Sequence, residues 1–150
     1  MDITKEYIRK LFIEYNNLYF YGRLKKCRIL YSRFIHFGHY FYKTKYNGEI
    51  DGTIWITNDV DWTEETLKDV LIHEMIHHYV VSVDNCRGID GFGWYGLFGH
   101  GWHFRRQIRR IKKEFGLKIH IHHSYIYHRK EKIPTTFFGK LLRFINYEIS

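Results

Sequence analysis

His73, Glu74 and His77 have the residue types and the spacing that metal-assisted hydrolysis requires. On an α-helix two residues four apart differ in direction by only about 40°, so both imidazoles reach one ion. Glu74 stands about 100° further round, where it can touch a metal-bound water without ligating the metal. Zinc is the ion this pattern suits, and a catalytic zinc takes at least a third protein ligand while leaving one position open. His78 points about 100° away from His77 and cannot swing back to the same ion. Two later histidines can return to it. His103 lies in the first turn of a later helix, whereas His100 sits between Gly99 and Gly101, whose flexibility lets one side chain be aimed at a fixed point. The residues favour His100 and leave His103 as the alternative.

The chemistry follows from such ligands. Three neutral imidazoles leave zinc its full positive charge, which lowers the pKa of a bound water and polarises a carbonyl. Glu74 is then the general base that takes the water's proton and hands it to the leaving amine. A tetrahedral intermediate also needs a donor facing its oxyanion, for which His123, Tyr125 and Tyr95 are candidates.

The elements that must position these groups are legible in the apolar pattern. Tyr7, Leu11, Tyr15 and Leu18, widened by Ile8, Phe12 and Tyr19, form one face of a helix over about 4–19 that Gly22 ends. Cys27, Ile29 and Tyr31 alternate with polar neighbours as in a strand, and two more strands are expected around 39–43 and 53–57, joined by the turn residues Asn47 and Gly48. Thr63 is placed to cap a helix running to about Val83, with Glu64 and Glu65 at the positive end of its dipole. Apolar residues cover nearly all its circumference, which marks it as buried. A buried helix that carries His73, Glu74 and His77 spends several kcal/mol unless each finds a partner, which is the first argument for a metal. Beyond an aromatic, glycine-rich loop over 85–101, a second helix over 102–115 has Phe104, Ile108, Ile111 and Phe115 as its inner stripe and Gly116 as its stop. A short strand is expected over 119–123, and past Pro134 an amphipathic helix over about 136–147. The fold class expected is α+β in a single domain, a small, mainly antiparallel sheet packed against the histidine-bearing helix and a second core helix. Tyr40, Tyr42, Ile54 and Trp55 either line a sheet edge for an extended substrate or belong to the core.

Composition bounds the rest. A chain of 150 residues with 45% hydrophobic side chains can bury a core without disulfides, and it has no apolar run long enough to span a membrane. Two cysteines, Cys27 and Cys86, neither staple a fold nor build a zinc knuckle, and the N-terminus reads as a helix start rather than a secretory signal. A reducing, cytoplasmic setting is the expectation. The net charge of +8 is uneven: residues 1–104 balance at −1 and residues 105–150 at +9. Arg105, Arg106, Arg109, Arg110, Lys112 and Lys113 are therefore candidate nucleic-acid contacts, or else the solvated face of one helix.

Four stretches resemble the SprT-like metalloprotease family, which includes the DNA-repair protease Spartan. They are residues 11–24 (LFIEYNNLYFYGRL), 71–77 (LIHEMIH), 99–104 (GHGWHF) and 119–123 (IHIHH), in that order over roughly 4–125. The resemblance implies a zincin fold, one zinc held by His73, His77 and His100, Glu74 as general base, and His103 no closer than the ligands' surroundings. It also implies a protein or peptide substrate, with DNA-crosslinked proteins as the class that Spartan cleaves. Many members continue into a zinc ribbon of two Cys-x-x-Cys pairs, and this chain contains no such pair. Residues 126–150 instead form a basic, amphipathic extension expected to pack on the domain. The competing expectation is a nucleic-acid-binding or scaffold module whose zinc is structural.

Overall fold

A computed structural model describes residues 2–86, 100–123 and 126. Tyr95, Tyr125, most of the aromatic loop and the helix expected over 136–147 lie outside the described residues.

Helix α1, Lys5–Tyr19, starts where the Thr4 hydroxyl accepts the Tyr7 N–H at 3.1 Å, and it buries Ile8, Leu11, Phe12 and Tyr15. The chain leaves it through Tyr21 and Gly22, both with positive φ. Strands β1 (Arg28–Ser32), β2 (Gly38–Thr44) and β3 (Ile50–Thr57) form one sheet in the order β1-β3-β2. The sheet is mixed rather than mainly antiparallel: β2 and β3 make an antiparallel hairpin around Gly48, whereas β1 runs parallel to β3. Strand β3 takes the centre because most of its positions on both faces are apolar or small and buried, while β1 and β2 each keep exposed positions. With β2 lying between them in sequence, the chain from β1 to β3 is long enough for a parallel pairing.

Helix α2, Glu64–Ser82, opens with a capping box between Thr63 and Thr66. Every residue from Asp69 to Val81 is buried, because α2 is covered by β2 and β3, by α1 and by the third helix. That helix, α3 (Trp102–Phe115), ends at Gly116 in the left-handed conformation. Its inner stripe is Phe104, Gln107 and Ile111, with Ile108 half-buried and Phe115 38% exposed, so the expected place of Phe115 is corrected. Gln107 lies between Phe104 and Ile111 on the same face, and Arg110 Nε satisfies its side-chain oxygen at 2.7 Å. The strand expected over 119–123 does not form. Side chains from α2 take the backbone groups of His120 that a ladder would have used. The α+β class holds for the described residues, among which no helix is long and apolar enough to cross a membrane.

Candidate metal centre

Two turns of α2 and the entrance of α3 bring His73, His77 and His100 together. One ring nitrogen of each lies within 4.8 Å of the others, and all three side chains are buried. His73 Nε2 and His100 Nε2 approach to 3.1 Å. Two imidazole nitrogens this close either share one proton or face a common cation. Burial, followed by the neighbouring histidines, holds His73 and His77 well below the usual imidazole pKa, so both stand in the neutral form that a metal requires. A buried set of three imidazole donors, with His73 and His77 held neutral, suits zinc, and these residues can hold a metal ion.

His100 is held from the side of α3. Arg105 Nε donates to its backbone carbonyl at 3.1 Å from the first turn of α3. The Phe104 ring lies 4.8, 4.5 and 4.8 Å from the rings of His73, His77 and His100, an apolar wall common to all three. His103 faces elsewhere: its Nδ1 is 3.4 Å from Asp84 Oδ2 just past the end of α2. Of the two alternatives the sequence left, His100 is the one brought to the pair on α2.

Glu74, 2% exposed, projects beside the pair toward the start of β2. A Cβ on Gly38 would sit 2.8 Å from Glu74 Oε1, 3.0 Å from its Cγ and 2.7 Å from Val70 Cγ1, so only glycine admits the carboxyl there. Burial alone pushes the Glu74 carboxyl well above the usual carboxylate range. Behind His77, the buried His78 bonds the Tyr40 hydroxyl at 2.7 Å and the Lys25 carbonyl at 3.0 Å. These bonds give His78 a structural role. Tyr40 and Ile54 are thereby core residues, while Tyr42 and Trp55 are half-buried, Trp55 stacked on Phe34.

On the other flank, His73 Nδ1 meets the His120 carbonyl at 2.9 Å. Asp69, one turn before His73, accepts the His120 N–H at 2.9 Å and bonds the His120 side chain at 2.7 Å. His123 is buried against the His73 ring, with its Nε2 3.7 Å from the same Asp69 carboxylate. The sequence pointed to Phe104 on the inner stripe of α3, where it lies, but not to Asp69 or Gly38. Asp69 did leave a signal, an acid four residues before His73 at the start of the buried stretch of the helix.

The six cations of α3 divide. Arg105 holds the His100 carbonyl, and Arg110 is tied to Gln107, Glu114 and the Tyr19 carbonyl. Arg106, Arg109, Lys112 and Lys113 are exposed, with Arg106 over the ring of Trp102, itself 62% exposed.

A family model described as the SprT-like family matches residues 8–123, a span that includes the whole histidine cluster and its surroundings. No curated protein matches the chain.

Proposed function

The chain belongs to the SprT-like family, and from that premise we propose that it is a zinc-dependent endopeptidase, with His73, His77 and His100 as ligands to one ion and Glu74 as general base. The observation that carries the reading is the pairing of three clustered, buried histidines with a buried carboxyl, next to His73 on α2, that no described residue hydrogen-bonds. Zinc bound there supplies Lewis acidity, lowering the pKa of a water and polarising a substrate carbonyl. Burial raises the proton affinity of Glu74, which suits a carboxylate that takes the attacking water's proton and releases it to the leaving amine. Phe104 keeps bulk water from one side of the ligands. An extended peptide has its natural berth along β2, a strand paired on one side only among the described residues and beginning at Gly38 against Glu74. His123, whose Nε2 lies 3.7 Å from Asp69 Oδ2, stays a candidate oxyanion donor beside Tyr95 and Tyr125.

The exposed Arg106, Arg109, Lys112 and Lys113, with Trp102 beside them, favour a second reading in which nucleic acid is bound and zinc only stabilises the fold. The same face would equally bring a protease to DNA-associated proteins. Cleavage of an unfolded protein by zinc-loaded wild type and by Glu74→Gln, with and without DNA, separates the two. The endopeptidase reading expects cleavage that falls about 10²- to 10⁴-fold in the variant while zinc is retained. No cleavage by wild type, together with tight, salt-sensitive DNA binding by both proteins, would establish the second reading instead.

A further inference from the structure

Asp69 and His73 face the same side of α2 one turn apart, and His120 touches both. The backbone N–H and the ring of His120 are held by the two oxygens of Asp69, at 2.9 and 2.7 Å, while its carbonyl meets His73 Nδ1 at 2.9 Å. A carbonyl can only accept, so His73 must carry its proton on Nδ1 and turn the lone pair of Nε2 toward His100 Nε2, 3.1 Å away. Residues 116–123 form no helix or strand that would fix this carbonyl. Asp69 is 7% exposed on a helix otherwise buried among apolar neighbours, an arrangement costly unless the carboxylate is fully used.

We propose that Asp69 is a positioning residue for the metal centre: through the backbone of His120 it sets the tautomer and the orientation of His73. The proposal rests on His73 being a zinc ligand. It differs from a direct carboxylate–histidine contact, because the group that meets the imidazole is a main-chain carbonyl and the carboxylate stands one residue behind it. Replacing the His120 side chain should therefore matter less than replacing Asp69. His120→Ala keeps the N–H, the carbonyl and the bond to Asp69 Oδ1.

Two measurements test it. Long-range ¹H–¹⁵N spectra of the metal-free wild type report which nitrogen of His73 carries the proton, and Nδ1 is expected; a proton on Nε2 overturns the proposal without any variant having to fold. Zinc affinity, measured by competition with a chromophoric chelator, is expected to fall about 10- to 100-fold in Asp69→Ala. In Asp69→Asn, which keeps an acceptor for the His120 N–H, and in His120→Ala, the fall should be clearly smaller. A folded Asp69→Ala that binds zinc as tightly as wild type overturns the proposal. Absence of zinc binding by wild type would instead overturn the metal reading, and the tautomer measurement would still judge the part played by Asp69.

Discussion

On the sheet side of the histidine cluster, Glu74 meets a strand that offers it no side chain at Gly38, and His77 lies parallel to the ring of Tyr40. On the opposite side, His73 meets a segment without regular structure, held by the charged oxygens of Asp69. The sheet side thus works by shape, through a vacancy and packed rings fixed by a backbone ladder. The far side works by hydrogen bonds, which give direction to a segment that packing alone leaves undefined. In the proposed centre a general base at Glu74 would need room, and a ligand at His73 would need a donor and an acceptor. The two regions supply one each.

Breaking both sides at once should give the largest effect. Phe104 touches all three rings, so Phe104→Ala is expected to destabilise the protein by about 3–5 kcal/mol in denaturant titration and to weaken zinc binding. A loss below about 1 kcal/mol would mean that the wall is not part of the cluster's support. Breaking the sheet side alone is the sharper test. Gly38→Ala forces Glu74 and Val70 to shift, and cleavage should fall on the order of 100-fold while zinc affinity changes little. The Asp69→Ala variant should show the reverse order of effects, affinity before everything else. If both variants lost affinity equally, the division between the two sides would be false.

Acid separates the same groups more gently. His73 and His77 have folded-state pKa values well below the ordinary 6.5, so below that pH the unfolded chain takes up protons that the folded one refuses. The stability linked to them is fully present above about pH 6.5 and is lost as the pH falls through it. Glu74 acts oppositely, since its raised pKa lets the folded protein hold a proton above 4.5 that the unfolded chain has released. The thermal midpoint of metal-free protein should therefore drop from pH 7 to pH 5. The unfolding free energy should drop more steeply in Glu74→Gln, by up to about 1.4 kcal/mol per pH unit for the one proton removed. Equal slopes would show that Glu74 is not raised.

The part of this arrangement that could be read from the sequence is the part set by local rules. Thr63 and Gly116 mark helix ends through a hydroxyl and a positive φ, and α2 begins and α3 ends there. The glycine-framed His100 was equally legible, because the spacing of His73 and His77 demands a third donor from a return of the chain. What failed depends on partners distant in the chain. Residues 119–123 alternate as a strand does, yet Asp69, 51 positions away from His120, takes the N–H that a ladder needs. Phe115 fits the apolar period but falls on the last turn of α3, where its ring meets Tyr19 and Tyr21 rather than the core. Gly38 carries no pattern of its own, and its reason appears only when Glu74 is set against it.

X-ray absorption at the zinc edge of the loaded protein reads out whether His73, His77 and His100 hold one zinc, as proposed for a hydrolytic centre. The expected spectrum shows one zinc per chain with three imidazole nitrogens at about 2.0–2.1 Å and a light oxygen ligand, and loses one imidazole in His100→Ala but not in His103→Ala. A sulfur shell at about 2.3 Å, or a spectrum unchanged by His100→Ala, would contradict it.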